Sequence, residues 1–231
     1  MQDTACLKRF EEYLTNVKKA SGNTMSSYLR DIRQLSSYLV SHQLGNLLEA
    51  TDDVLEQYVA HLKSAGKSNA TIARSIASMK SFYGHMVSES LIEKNPASGL
   101  VAEKAEHKLP QILTGMEVEL LLEQPQCVDM KGYRDKAMLE VLYATGIRVS
   151  ELIALNVDDV NLSAGVLRCK SKNKERYIPI YPAAVRALSE YIEFIRNQMV
   201  AVPQEPALFV NVNGERMSRQ GFWKLIKTYQ Q

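Results

Sequence analysis

Cysteine and long apolar runs are both scarce in this chain of 231 residues. The three cysteines, at positions 6, 127 and 169, are odd in number and lack metal-ligand spacing, which favours reduced thiols in a cytoplasmic protein. No stretch approaches the roughly 20 apolar residues that span a bilayer. The first 14 residues are amphipathic and carry acidic side chains, unlike a secretory signal.

Histidine and the common catalytic motifs are scarce as well. The chain has four histidines, His42, His61, His85 and His107, and they share no metal-like spacing. Neither a glycine-rich phosphate loop nor a G-x-S-x-G turn occurs. The sequence therefore predicts neither a bound metal nor a cofactor, and it disfavours zinc, nucleotide-binding and serine-hydrolase chemistry.

Acidic residues are absent from positions 57–88, where Lys63, Lys67, Arg74 and Lys80 are all basic. Residues 161–189 hold six basic side chains against one acidic, whereas residues 114–160 hold nine acidic side chains against four basic. The formal net charge of +2 therefore conceals segregated charge. Such clustering favours a surface that faces a polyanion, although solvated helix faces give the same pattern.

The order of predicted elements divides the chain into two domains. Residues 1–98 read as helical, with helices near 4–19 and 52–64 and two apolar stripes of helical spacing that begin at Met25 and Ile72. Pro96 and Gly99 end this domain, and residues 99–110 form a charged linker. Residues 111–231 predict an α+β domain with a small sheet. Its predicted elements are a helix after a Thr114–Glu117 capping box, a helix near 131–144, two strands within 165–180, a helix over 182–198, a strand at 207–210 and a helix over 218–229.

The second and fourth predicted helices resemble each other at an offset of 47 residues. The matching pairs are Thr24 with Thr71, Val40 with Val87, Ser41 with Ser88 and Leu44 with Leu91. This pattern suggests a duplicated helical hairpin.

The polar face of the fourth predicted helix is a candidate DNA contact. Small side chains beside an arginine would let this helix lie against a phosphate backbone; the face carries Arg74, Ser78, Ser81 and His85. Arg30 and Arg33 lie off the apolar face of the second helix and could reach the same partner. Further candidates for DNA binding in this domain are Lys67, Thr71 and Lys80. Ordinary solvated faces remain the alternative interpretation.

The stretch "YATGIRVSEL", residues 143–152, interrupts an apolar helical pattern with a turn and then starts a new helix. Gly146 permits a tight turn, and Arg148 precedes Ser150 and Glu151, which suit a helix N-terminus. A guanidinium offers a planar fork for two phosphate oxygens, and a carboxylate such as Glu151 can hold that fork in place. An arginine after a turn is also commonly part of a structural salt bridge, so both interpretations stay open.

The stretch "GVLRCKSKNKERYIPI", residues 165–180, predicts two strands about a turn. Its basic residues are all even-numbered, so alternation would place them on one face except where the turn intervenes; they are Arg168, Lys170, Lys172, Lys174 and Arg176. Lysines on an exposed strand edge discourage aggregation. The alternative interpretation is a cationic finger that enters a DNA groove.

These two motifs, followed by "RMSRQGFWKLIK" at residues 216–227, resemble the tyrosine recombinases, particularly their Xer-like, integrase-like branch. The stretch "SYLRDIRQLSSYL", residues 27–39, is similar to the second helix of that family's core-binding domain. The resemblance covers nearly the whole chain. It implies a mainly α protein, with a four-helix, SAM-like core-binding domain over 1–98 and an α+β catalytic domain with a small antiparallel sheet over 111–231.

The resemblance also implies a reaction, namely site-specific cutting and rejoining of DNA through a 3′-phosphotyrosyl intermediate, without metal or cofactor. Arg148 matches the family's arginine that binds the scissile phosphate and offsets charge in the transition state. Glu151 matches the acidic residue that supports the site. Lys172 matches the hairpin lysine that protonates the 5′-oxygen leaving group.

The hairpin departs from the family in length. "SKNKER" is one residue shorter than the family's Gly-Lys-Gly-Asn-Lys-Glu-Arg, so Lys170 and Lys174 remain candidates for the catalytic lysine and for DNA contacts. The positions at which the family contacts the DNA backbone near the end of the chain are occupied by Ser218, Arg219 and Lys224.

Later family motifs have no counterpart before Gln231. These motifs are His-x-x-Arg, a following His or Trp, and the tyrosine nucleophile. Tyr229 lies too early and in the wrong motif to replace that tyrosine. The catalytic domain is therefore expected to be incomplete at its C-terminus, and the 231-residue chain to be inactive alone.

The partner that the resemblance implies is a double-stranded DNA recombination site. A homo- or hetero-tetramer of recombinase protomers is expected on that site, with no membrane partner. Chromosome-dimer resolution and mobile-element integration both remain open as the biological role. Two other functions compete with recombination: a DNA-binding module without catalysis, and a helical protein-interaction scaffold.

Overall fold

Two separate hydrophobic cores organise the chain, one in each of two units, Met1–Leu109 and Pro110–Gln231. The structure, a computed structural model, describes residues 2–103, 112–171 and 174–230. Most of the predicted linker 99–110 lies outside these described residues, as do His107 and Lys172. Among the described helices, none is both long enough and apolar enough to cross a bilayer.

The first unit is built from helices α1 to α4, at Gln2–Glu12, Gly22–Ser41, Asp52–Ser64 and Asn69–Ser88. α1 continues as a π-helical turn over Tyr13–Val17. Apolar side chains three and four residues apart meet in one core, where Phe10, Leu35, Leu55 and Phe82 are fully buried. The helical interpretation of the N-terminal residues is confirmed.

α2 and α4 match each other at the predicted offset of 47 residues. Ser21 and Ser68 each cap the helix that follows, because each hydroxyl accepts the N–H of the threonine three residues on, at 3.2 and 3.3 Å. Both helices have 20 residues. Each is followed by a residue in the left-handed region, Gln43 with φ 57° and Ser90 with φ 56°. α2 and α4 therefore share their N-terminal caps, their length and the conformation that follows them, at the offset predicted for the repeat.

The second unit combines helices with a small sheet, as predicted. Its helices are α5 Gly115–Glu123, α6 Met130–Thr145, α7 Val149–Ala154, α8 Pro182–Glu190, α9 Asn197–Met199 and α10 Arg219–Tyr229. A π-helical segment, Tyr191–Arg196, joins α8 to α9. The predicted capping box is present, because the Glu117 N–H donates to the Thr114 hydroxyl at 3.3 Å and the Thr114 N–H donates to the Glu117 carboxylate at 2.7 Å.

The sheet has three antiparallel strands in the order β1-β2-β3, at Val160–Asn161, Val166–Ser171 and Lys174–Pro179. A 3-10 turn, Val157–Asp159, leads into β1. The strand predicted at 207–210 is wrong, because Ala207 and Val210 form only isolated bridges, to Asn156 and Arg216. The segment is fully buried, and the Leu208 N–H donates to the Leu155 carbonyl at 2.9 Å, so it packs in the core without extending the sheet.

Candidate functional site

Arg148 is placed by the turn between α6 and α7. Gly146 ends α6 in the left-handed region, with φ 59°, and its N–H donates to the Leu142 carbonyl at 2.8 Å. Ile147 follows and is buried in the core of the second unit. The backbone of Arg148 is then extended, with φ −68° and ψ 148°, as the residue that caps α7. The turn predicted from the Thr-Gly pair is therefore present, and it points the next side chain out of the core.

Glu151 fixes the backbone of Arg148 and leaves its side chain accessible. The Arg148 N–H donates to Glu151 Oε2 at 2.9 Å, which is half of a capping box. The Arg148 guanidinium stands 4.0 Å from Glu151 Oε1, beyond hydrogen-bond distance. Its side chain is 82% exposed, whereas that of Glu151 is 12% exposed. The guanidinium can therefore bind a ligand from solvent.

Arg176, on β3, occupies the Glu151 carboxylate. Its two terminal nitrogens donate to Oε1 at 2.8 Å and to Oε2 at 3.0 Å, a bidentate pair. These bonds, with that from the Arg148 backbone N–H, lower the pKa of Glu151 to about 2. Glu151 is therefore ionised at neutral pH, and its charge is matched by Arg176 before Arg148 contributes.

The β2–β3 hairpin carries its cations on both faces. Each even-numbered residue of β2 pairs with an odd-numbered residue of β3, as Lys170 does with Glu175, and each odd-numbered residue of β2 pairs with an even-numbered one, as Cys169 does with Arg176. Directly opposed residues share a face, so Arg168 and Lys170 lie on the face opposite to Arg176. The predicted alternation therefore holds within each strand but not across the turn, so the basic residues of β2 and those of β3 lie on opposite faces.

Asp159 holds the other face of the hairpin. Arg168 donates to its carboxylate at 2.9 Å, and Lys170 Nζ lies 3.2 Å from the same oxygen. Burial raises the pKa of Asp159, but the Asn156 backbone N–H and the two basic side chains outweigh this and lower it overall. Of the candidate catalytic lysines, Lys170 is thus paired, Lys174 is exposed at the start of β3, and Lys172 lies outside the described residues.

In the first unit, Arg74 and Ser78 form a buried network with Asp31. Arg74 Nε and a terminal nitrogen each donate to the Asp31 carboxylate at 2.9 Å, and the Ser78 hydroxyl lies 3.2 Å from it. Ser78 is fully buried, so its assignment as a DNA contact is wrong: the α2–α4 packing covers this side of the helix. His85 is buried as well and stacks on Tyr13, with ring centroids 4.3 Å apart.

Three exposed cations of the first unit share a groove. Arg30, Arg33 and Lys67 line it beside α2 and the end of α3, and it has a volume of about 620 Å³. None of the described residues that line it is acidic. Lys80 is exposed on α4, while the Thr71 hydroxyl is 3.0 Å from that of Ser68 at the start of the same helix.

The end of the second unit presents further polar groups. Ser218 caps α10 by accepting the Gly221 N–H at 3.0 Å, and Arg219 and Lys224 are exposed. Tyr229 donates to Asp135 Oδ2 at 2.9 Å, and burial, with that carboxylate, raises the pKa of the phenol. Tyr229 is thus bound to a carboxylate within its own unit. Across the described residues, no three His, Cys, Asp or Glu side chains group as metal ligands.

Sequence reasoning missed the carboxylate partners of three arginines. Asp31 precedes Arg74 by 43 residues, and Glu151 precedes Arg176 by 25. Asp159, the partner of Arg168, is a buried acid just before β1. One local signal pointed to this carboxylate. Asp159 lies three residues after Asn156 and accepts its backbone N–H, a capping pattern that holds the carboxylate in place.

Comparison with known proteins places the chain among DNA-processing enzymes. The sequence pattern described as the Phage integrase family matches residues 111–231, and that of the phage integrase N-terminal SAM-like domain matches residues 7–90. Tyrosine recombinase XerC of Herpetosiphon aurantiacus is 41% identical over 225 residues, covering 96% of this chain and 74% of XerC. Tyrosine recombinase XerD of Staphylococcus epidermidis is 39% identical over 223 residues, covering 95% of this chain and 76% of XerD.

Solved structures share the fold. The Tn1549 transposon integrase in complex with circular intermediate DNA has a TM-score of 0.72 at 19% identity, over 97% of this chain and 78% of that one. A lambda integrase dimer bound to a core site has a TM-score of 0.71 at 16% identity, over 99% of this chain and 63% of that one. Since one family pattern covers more than half of the residues, and relatives at 39% and 41% identity extend over almost all of them, this chain belongs to the phage integrase family of tyrosine recombinases.

Proposed function

We propose that this protein takes part in site-specific DNA recombination, in which it binds duplex DNA and Arg148 holds the scissile phosphate. The observation that carries the proposal is the state of Arg148: its side chain is 82% exposed, and the carboxylate beside it is already bound by Arg176. XerC and XerD are tyrosine recombinases, and two integrases of similar fold are bound to DNA. Together these findings support a DNA phosphate as the ligand of Arg148.

A guanidinium in this position suits the transfer of a phosphoryl group. Its planar fork can donate two parallel N–H bonds to two oxygens of one phosphate. The same donors stabilise the phosphate more strongly as negative charge grows on those oxygens in the transition state. The Gly146 turn and the bond from the Arg148 N–H to Glu151 hold the backbone without using these donors.

A hairpin lysine is our proposal for the general acid. A lysine ammonium next to the 5′-oxygen would donate its proton as the P–O bond breaks, so that no free alkoxide forms. Lys170 Nζ lies 3.2 Å from Asp159 and is already bound by a carboxylate. This supports Lys172, with Lys174 as the alternative.

The DNA backbone is the proposed partner of the exposed cations in both units. In the first unit these are Arg30, Arg33, Lys67 and Lys80, with Arg74 and Thr71 as neighbouring positions whose polar groups are partly occupied by Asp31 and Ser68. In the second unit the proposed contacts are the basic residues Lys170, Lys174, Arg219 and Lys224, together with Ser218. We further propose that protomers act in the cytoplasm as a homo- or hetero-tetramer on the recombination site.

The experiment that tests this proposal starts from a pool of random duplexes. Duplexes retained by the full chain are sequenced, and one enriched site is expected. Each phosphate of that site is then replaced in turn by a neutral methylphosphonate, and the Kd is measured for wild type and for Arg148→Ala. Wild type should lose about 10- to 100-fold in affinity at one position, since a charged hydrogen bond contributes about 1.5–3 kcal/mol. Arg148→Ala should lose nothing there.

Arg186→Ala is the matched control, because Arg186 is an exposed arginine of α8 that is not among the proposed contacts. It should keep the wild-type dependence on that one phosphate. If Arg148→Ala also keeps it, Arg148 does not bind a phosphate, and the result favours a DNA-binding module without this catalytic contact. If no duplex is enriched, site-specific recombination is the wrong function.

A further inference from the structure

Arg176 connects two parts of the proposed site that are separate in sequence. It lies on β3, two residues after Lys174, and its guanidinium binds both oxygens of Glu151 on α7. We propose, on the basis of the proposed function, that Arg176 is a positioning residue: it keeps Glu151 from binding the Arg148 guanidinium and fixes the lysine hairpin beside Arg148.

The first part of this role follows from competition for one carboxylate. Glu151 Oε1 is 2.8 Å from Arg176 and 4.0 Å from Arg148, so Arg176 has the hydrogen bond and Arg148 does not. The Arg148 N–H nevertheless bonds to Glu151 Oε2, which keeps the carboxylate next to the Arg148 side chain. Without Arg176, that unmatched carboxylate would attract the nearest cation, and Arg148 is within reach. A phosphate would then have to displace Glu151 before it could bind.

The second part follows from how the hairpin is held. On one face Arg168 binds Asp159, which precedes β1, and on the other face Arg176 binds Glu151. Arg176 lies opposite Cys169, which is almost fully buried, so its strand is anchored where the sheet meets the core. The two ion pairs hold the hairpin on both faces, at Arg168 and Arg176, each two residues along its strand from a lysine, Lys170 and Lys174. Loss of either pair would free the hairpin to move relative to Arg148.

A purely structural ion pair makes a different prediction from a positioning pair. Arg176→Gln removes the charge that Glu151 needs, whereas the double variant Arg176→Gln/Glu151→Gln also removes the carboxylate that would capture Arg148. Glutamine can still accept the Arg148 N–H, so the capping bond is kept. If Arg176 acts by competing with Arg148 for Glu151, the double variant recovers the phosphate dependence of DNA affinity that the single variant loses. If the pair only stabilises the fold, the double variant does not recover it.

The first measurement is the affinity lost on placing a methylphosphonate at the Arg148-dependent phosphate of the selected duplex. Arg176→Gln should reduce that loss about fivefold, because the phosphate must first displace a solvent-accessible ion pair. Arg176→Lys keeps the charge but not the planar fork, so its loss of affinity should lie between those of wild type and Arg176→Gln. The double variant should show a loss close to that of wild type. An Arg176→Gln variant with the wild-type dependence, or a double variant no better than the single one, would overturn the inference.

The second measurement needs no DNA and therefore separates this inference from the proposed function. In protein with ¹⁵N-labelled arginine, the Arg148 Nε–H signal is assigned from its loss in Arg148→Lys. Arg148 should be mobile in wild type, ordered in Arg176→Gln, and mobile again in the double variant. If wild type shows no phosphate dependence but the signal follows this order, the proposed function fails and the competition stands. If Arg148 is equally mobile in all variants, the competition is refuted.

Discussion

Arg74 was predicted from the sequence to contact DNA, and the structure gives it a second task whose loss can be measured. Its guanidinium binds both oxygens of Asp31, and Ser78 lies 3.2 Å from the same carboxylate. The Asp31 side chain is only 2% exposed, while that of Arg74 is 36% exposed. Arg74→Ala would therefore leave a buried carboxylate without a counter-charge between α2 and α4.

The size of this effect can be worked out from the exposure of the pair. Breaking a fully buried ion pair by removing one partner costs about 3–5 kcal/mol. Since over a third of Arg74 is in solvent, we expect Arg74→Ala to lower the free energy of unfolding by about 2–3 kcal/mol. Asp31→Asn should cost less, about 1–2 kcal/mol, because the freed guanidinium can reach water and the amide can still bond to Ser78.

Urea unfolding followed by far-UV circular dichroism measures these differences. Arg33→Ala is the control, since Arg33 is an exposed arginine on the same helix as Asp31 and should change the unfolding free energy by less than about 0.5 kcal/mol. The order of the three variants is the sharp test. Arg74→Ala within 0.5 kcal/mol of wild type, or Asp31→Asn more destabilised than Arg74→Ala, would refute the reasoning from burial.

Three further predictions concern the second unit. Tyr229→Phe removes the bond to Asp135 and should lower the unfolding free energy by about 1 kcal/mol, while DNA affinity and any covalent protein–DNA adduct in a suicide-substrate assay stay at the wild-type level. Gly146→Ala should cost about 1–2 kcal/mol through its positive φ alone, because its Cβ would meet no atom within 4 Å; a clearly stabilised variant in thermal melting would contradict this. Glu151 has its pKa lowered from 4.5 to about 2, so its stabilisation is complete above pH 4.5 and declines as the pH falls towards 2. The free energy of unfolding of wild type, measured relative to that of Glu151→Gln, should fall by no more than about 1 kcal/mol over this range. A stability advantage of wild type that grows towards pH 2 would contradict the expected sign.

The Asp31 network also refines which part of α4 is available to DNA. The stretch without acids at 57–88 suggested an open basic face, but Asp31 of α2 supplies the missing carboxylate from another part of the chain. The exposed cations Arg30, Arg33 and Lys67 gather instead at a groove beside α2 and the end of α3. Comparing Arg33→Ala with Arg74→Ala in DNA binding thus separates a proposed surface contact from a residue that holds the fold.

Several features of this protein were determined by the sequence itself. The helices of both units, the capping box at Thr114, the turn at Gly146 and the exposed arginine that follows it all depend on residues a few positions apart. Glu151 was predicted to hold the guanidinium of Arg148; in the structure it accepts the backbone N–H of Arg148 instead, and its carboxylate binds the guanidinium of Arg176. Such local patterns can be read directly because the groups that interact are near neighbours along the chain.

Only the tertiary structure decided which charges are free and which are matched. Asp31 with Arg74, and Glu151 with Arg176, are pairs separated by 43 and 25 residues, and no periodicity in the sequence specifies them. The hairpin makes the same point, since the register of β2 against β3 distributes the basic residues of the two strands over both faces. A charge in the sequence becomes available to a ligand only where folding brings no opposite charge to it, and that depends on contacts between distant parts of the chain.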